Sequence, residues 1–237
     1  LFFMKKITLF VAALLTAGSA FSALKVEKVW ESTSDIPAVA DARQGVGRDG
    51  TVYVQDKGTT TVWAYTKSGE TVTKTAYVKD ANASGCGIAI DDAGNMILVT
   101  GWAGSNPSAA VIVKAGDKTT KSISFTLDKG GLTNVGRTDY ITATGDIWSA
   151  EGGLIYYYAN LQTQVNYVKV TNGAATAADV TTGVIKKEGI TTGGTASVII
   201  KGTDTTFVGQ SRSAAWQELK ADGTIGAVDY LDGVKNS

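Results

Sequence analysis

The stretch Gly87-Ile88-Ala89-Ile90-Asp91-Asp92-Ala93-Gly94-Asn95-Met96-Ile97-Leu98-Val99-Thr100 constrains the fold most. It reads as a short apolar strand, a tight polar turn and a second apolar strand. Gly94 and Asn95 tolerate positive φ, and an aspartate can bond its own backbone in a turn. Variants of this unit recur, which is the signature of a repeat architecture. Gln44–Gly47, Arg48-Asp49-Gly50 and Thr51–Gln55 make a first hairpin, followed by strands 61–66 and 70–78 around a Lys67-Ser68-Gly69 turn. The second unit runs 86–90, 95–100, 109–114 and 119–127. The third is expected at 138–143, 146–150, 154–159 and 163–170, with turns at Thr144-Gly145 and Glu151-Gly152-Gly153. The fourth is expected at 196–201, 205–209, 214–219 and 224–230. Residues 171–195, rich in Ala, Thr and Gly, read as a long connection, with room for a short hairpin at Val184-Ile185-Lys186. The first-turn glycines Gly50, Gly94, Gly145 and Gly202 stand 44, 51 and 57 residues apart. Four-stranded propeller blades recur at about 40–50 residues.

Composition agrees. The chain has 28 glycines and 2 prolines among 237 residues, with 43% hydrophobic content. Glycine-punctuated strands suit that balance, and a proline-rich linker does not. The expectation is an all-β fold: a β-propeller with about four recognisable four-stranded blades. A β-sandwich or an open β array shares the strand count and remains a rival.

The N-terminus reads as a targeting signal. Lys5-Lys6 form the basic region, Ile7–Leu15 the apolar core and Thr16–Ser22 the small-residue end. Cleavage is expected after Ser22, with Ala20 the runner-up, so residues 1–22 are a signal peptide and 23–237 the propeller domain. The apolar core is too short to span a membrane comfortably, so no stable insertion is expected after cleavage. An uncleaved anchor or a buried helix is the alternative. Residues 24–31 alternate apolar and polar and read as a strand. Such a strand often closes a propeller ring by completing the last blade. The fourth unit already has four strands of its own, so the expectation is a domain truncated at its C-terminus, lacking at least one blade.

Gly87–Val99 resembles the NHL-type propeller repeat, in which a G-[IV]-A-[VI]-D strand precedes a D-x-G-N turn and a second apolar strand. Gly47–Asp56 matches the later half of that pattern. The resemblance covers about a third of the chain at motif level and extends to secreted propellers of Gram-negative bacteria. It implies an exported protein, periplasmic or extracellular. The family holds binding scaffolds and gluconolactonase-type metal hydrolases. The separated Glu, Asn and Asp ligands of those hydrolases do not map onto matching positions here.

Several chemistries are excluded by residue content. The chain has no histidine, which removes histidine bases, Ser-His-Asp sites and histidine-bound zinc. Its one cysteine, Cys86, cannot form an intramolecular disulfide and reads as a small buried hydrophobe. The formal charge is zero, so no global field attracts nucleic acid. Gly45-x-Gly47-x-x-Gly50 lacks a following helix and reads as a hairpin, not a nucleotide loop. Asp91-Asp92 reads as turn chemistry, since neighbours on a strand point to opposite faces. No cofactor is expected.

In a propeller, the loops between second and third strands share one face with the inter-blade loops. That face is expected to gather Asp56 with Lys57, Trp102 with Asn106, Glu151, and Gln210 with Arg212. Trp102, flanked by small polar residues, suits a sugar- or peptide-binding surface, because indole offers a flat apolar face and an N–H donor. The alternative is a Trp folded over the blade edge. The leading expectation is therefore a non-enzymatic exported module that binds a glycan, peptide or protein. A metal-dependent gluconolactonase-like hydrolase and a structural envelope scaffold are the other readings.

Overall fold

The computed structural model describes residues 42–56, 61–79, 87–99, 108–128, 140–158, 164–180, 197–201, 206–210, 215–220 and 224–230. Ser22 and the 24–31 segment lie outside these, as do Cys86 and Val184-Ile185-Lys186. Asp41–Ser237 form one compact unit, set apart from Leu1–Ala40.

Sixteen strands make four sheets. The first blade comprises β1 (Ala42–Val46), β2 (Val52–Asp56), β3 (Thr61–Ser68) and β4 (Thr71–Lys79). The second comprises β5 (Gly87–Ile90), β6 (Met96–Val99), β7 (Ser108–Val113) and β8 (Thr120–Phe125). The third holds β9 (Tyr140–Gly145), β10 (Gly153–Tyr158), β11 (Asn166–Thr171) and β12 (Ala174–Val180). The fourth holds β13 (Ser197–Lys201), β14 (Thr206–Gln210), β15 (Ala215–Leu219) and β16 (Ile225–Tyr230). Each sheet is an antiparallel meander in chain order. The first strands β1, β5, β9 and β13 neighbour one another in turn. That arrangement is a β-propeller, and its ring is not closed among the described strands.

The core lies between blades. Alternate side chains of the second blade enter opposite seams, because successive residues on a strand face opposite ways. Met96, Leu98, Val111 and Val113 pack against Tyr53, Val62 and Ala64 of the first blade. Ile97, Val99, Ala110 and Ile112 pack against Ile141, Ala143, Ile155 and Val168 of the third. A strand buried on both faces loses the apolar–polar alternation and reads as a continuous apolar run. This explains the wording Met96-Ile97-Leu98-Val99. Burial of one such side chain stabilises by about 1.5–3 kcal/mol. The seam between blades two and three holds 15 described buried residues and the seam between one and two holds 9, so apolar packing outweighs any single polar contact.

The third blade departs from the expected boundaries. Residues 146–150 are not a strand. The turn joining β9 to β10 is Asp146–Gly152, and every later strand of this blade shifts forward by one. The region expected as a connection contains β12, which pairs with β11 through a tight turn with positive φ at Asn172 and Gly173. Gly145 is the last residue of β9 rather than the turn glycine. The other three blades match the expected strands within two residues at each end.

Candidate functional site

The two ends of the blades differ in what they contain. At one end, β2 and β14 finish at Asp56 and Gln210, whose backbones pair with Ala42 and Ser197. These two sequence-predicted residues thus occupy equivalent strand ends, on the face expected to gather loops. Trp102, Asn106, Arg212 and Lys57 lie outside the described residues. Glu151 does not belong to this face. It is exposed in the Asp146–Gly152 turn, at the opposite end of its blade. The cause is the shifted third blade: a loop expected between second and third strands lies between first and second.

The opposite end carries a polar network that fastens blades together. Asp91 opens the turn between β5 and β6 and is 1% exposed. Its Oδ1 accepts the N–H groups of Ala93 and Asn95 at 3.0 and 2.8 Å. Its Oδ2 accepts the Asn95 side-chain amide at 2.8 Å and the Ile147 N–H of the next blade at 3.0 Å. Burial pushes the Asp91 carboxyl above the ordinary carboxylate range, against the pull of these donors. The Asn95 amide also donates to Asp146 Oδ1 at 2.9 Å, and Asn95 Oδ1 accepts the Ala115 N–H at 2.9 Å. One asparagine therefore joins the inner turn, the outer turn and the following blade.

Asp92 extends the network on the surface. Its carboxylate pairs with the Arg48 guanidinium of the first blade and accepts the Gly145 N–H of the third at 2.8 Å. Its own N–H donates to Gly145 O at 3.0 Å. Two lysines of the second blade complete the fastening. Lys118 Nζ lies 3.7 Å from the Tyr77 ring centroid of the first blade. Lys121 Nζ lies 4.9 Å from the Trp148 ring centroid and donates to Asn172 O at 3.0 Å in the third. Buried or partly buried cation–π contacts of this kind contribute about 0.5–2 kcal/mol.

The Asp91-Asp92 reading as turn chemistry fits this geometry, with one addition the sequence did not disclose. Both carboxylates also cap backbone N–H groups of the next blade. Asp91 has two donors on each oxygen, so it is arranged for holding rather than for proton transfer. No group of three or more His, Cys, Asp or Glu able to hold a metal ion occurs among the described residues.

A second clip, missed in the sequence, sits at the strand-end face between blades two and three. Asn166, at the start of β11, is fully buried. Its side-chain oxygen accepts the Asp128 N–H at 2.8 Å, and its amide donates to Asp128 O at 3.3 Å. The side chain thus pairs with the chain leaving β8 as a strand backbone would. Opposite it on β10 stands Tyr157, whose ring meets Phe125 edge-on at 5.0 Å. Burial drives the Tyr157 hydroxyl far above its ordinary pKa. Tyr157 faces the seam with blade two and Tyr156 the seam with blade four, as strand alternation requires. The only sequence signal for the clip was a lone Asn opening an otherwise apolar strand.

No protein-family model and no curated protein matches the chain. The fold is similar to virginiamycin B lyase from Staphylococcus aureus, at TM-score 0.50 and 10% identity over 87% of this chain and 60% of that one. It is also similar to a protein of unknown function from Bacteroides caccae, at TM-score 0.50 and 13% identity over 89% of this chain and 68% of that one. At these identities the likeness shows the β-propeller fold alone. The chain spans about three fifths of the lyase's length.

Proposed function

We propose that this chain is an exported, NHL-like propeller that binds a protein, peptide or glycan partner through the face where its second strands end. One observation carries the reading. At the opposite face, the described polar side chains of blade two's turns are committed to joining blades: Asp91, Asp92, Asn95, Lys118 and Lys121 all contact a neighbouring blade or turn. A face consumed in this way has little left for a ligand. The strand-end face carries Asp56 and Gln210 at equivalent positions, and Trp102, Asn106 and Arg212 follow the ends of second strands in sequence. An indole, two amides and opposite charges offer the stacking and hydrogen bonding that sugars and peptides need. Glu151 is not part of this proposed set.

The test is a glycan and protein array probed with the whole purified chain, repeated with Trp102→Ala and Arg212→Ala. The expected result is a hit weakened about tenfold or more by either variant, with unfolding midpoints unchanged. An empty array, or a hit indifferent to both variants, rejects the reading. Bound divalent metal in the purified protein, together with lactone hydrolysis, would favour the hydrolase reading instead. Export is checked separately: the N-terminus of protein recovered outside the cytoplasm should begin at Ala23.

A further inference from the structure

The hairpin of the first blade is built unlike the others. β2 begins at Val52, opposite Tyr65 of β3. The β3–β4 ladder continues past that point through Thr66 with Thr73, Lys67 with Val72, and Ser68 with Thr71. At about 3.3 Å per residue, this two-stranded ribbon projects roughly 10 Å beyond its blade. In blades two and four, the outer hairpin ends level with the second strand, at Val113 with Thr120 and at Leu219 with Ile225. Blade three extends by a single pair, Thr171 with Ala174.

β4 is also the longest strand and lies at the sheet edge, with β3 as its only strand partner among the described residues. An edge strand presents unpaired backbone N–H and C=O groups and can template another strand. Thr71, Thr73, Thr75, Ala76 and Lys79 along it are exposed. Its charge is of one sign: Lys74 and Lys79, with no acid between Thr71 and Lys79. Lys118 of blade two adds a third cation against Tyr77. The outer strands of blades three and four carry Asp179 and Asp229 instead. On β8, Lys121 is turned toward Asn172 and Trp148.

From these features we propose that β4 is a second binding surface, which takes an extended acidic peptide segment of a partner protein by strand addition. Main-chain hydrogen bonds would supply the affinity, and Lys74, Lys79 and Lys118 the selection for acidic side chains. The same charge disfavours a second copy of this chain as the occupant. Pairing β4 with itself would line one ladder with four lysines and no acid, and like charges brought together across strands are destabilising.

The inference is independent of the strand-end reading and has its own probe. A fluorescein-labelled nine-residue peptide of alternating glutamate and valine is titrated into the whole chain, with a lysine–valine peptide as control. The glutamate peptide should raise anisotropy in a salt-sensitive way and the control should not. Lys74→Glu with Lys79→Glu should weaken binding about tenfold or more, while Trp102→Ala should leave it unchanged. Circular dichroism checks the fold, and Lys79→Glu alone serves if the double variant unfolds. Hydrogen exchange should show new protection of the Thr71–Lys79 amides on binding. Absence of binding, binding that survives the charge reversals, or binding without protection in β4 overturns the proposal. So does β4 protection that rises with protein concentration in the absence of peptide, since that identifies a second copy as the occupant.

Discussion

At the residue scale, Asp91 and Asp117 show how burial decides what a turn aspartate does. Each accepts the N–H two residues ahead, Ala93 for Asp91 and Thr119 for Asp117, at 3.0 and 2.9 Å. Asp117 is exposed, and its hydrogen bonds with Thr119 hold its carboxyl below the ordinary range. Asp91 is buried, and desolvation raises its carboxyl despite more donors. Carboxyl-carbon NMR titration should therefore find the two on opposite sides of the ordinary aspartate value. The linked stability effects have opposite signs. The folded-state pKa of Asp117 is depressed, so its contribution is present above the unfolded value and lost as pH falls through the depressed one. For Asp91 it is raised, so the contribution is full below the unfolded value and is lost as pH rises through the raised one. Asp91→Asn removes the second titration, so the stability advantage of the wild-type chain over this variant should grow toward acid. Urea unfolding between neutral and mildly acidic pH measures it, and a flat difference would contradict the assignment.

At the element scale, what was legible followed from turn chemistry. Gly50 and Gly94 both hold φ above 80° in five-residue connections, and Asp-Gly or Gly-Asn marked those hairpins correctly. The third blade hid its register in a seven-residue turn, Asp146–Gly152. Ile147 and Trp148 in that turn look like strand residues because they are apolar, but Ile147 is spent filling the seam with blade two. β12, Ala-Ala-Thr-Ala-Ala-Asp-Val, lacks the bulky β-branched content that identifies a strand. Its partner β11 and the turn at Asn172-Gly173 define it. The longer turn also imposes a close approach. A Cβ on Gly153 would come within 2.3 Å of Thr144 O and 3.0 Å of Ile147 Cγ2. Gly153→Ala should cost about 1–3 kcal/mol by overpacking, read as a lower urea midpoint at unchanged slope. An unchanged midpoint would show that the ladder can open without penalty. The site was legible only in part for the same reason. Asp56 and Gln210 stood in well-punctuated blades and were placed correctly, whereas Glu151 was carried to the wrong end by the misread turn. The partners of Asn95 and Asn166 lie 51 and 38 residues away, which local pattern cannot reveal.

At the scale of the whole molecule, stability is distributed unevenly across seams. Blades two and three share the larger described apolar cluster, the Asp91 and Asp92 caps on Ile147 and Gly145, the Asn95–Asp146 bond and the Asn166 clip. Blades one and two share a smaller described cluster, with the exposed Arg48–Asp92 pair and the Lys118–Tyr77 contact at the turn end. Exposed ion pairs contribute about 0–1 kcal/mol. Native-state hydrogen exchange should therefore find β6, β7 and β10 opening together as the slowest unit, with the projecting part of the β3–β4 hairpin among the fastest described segments. First-blade amides that exchange in step with β10 would refute this ordering.

The caps on blade two run in one direction along the chain: its carboxylates are met by N–H groups that come more than 50 residues later. During synthesis, Asp91 can fold its own turn at once, but its bond to Ile147 must wait until the ribosome has passed that residue. Blade two therefore leaves the ribosome with part of its wiring open and is completed only by its successor. A chain halted between the two blades would present a buried-type carboxylate to water and the bare apolar flank of β6 and β7, which is the kind of surface that chaperones recognise.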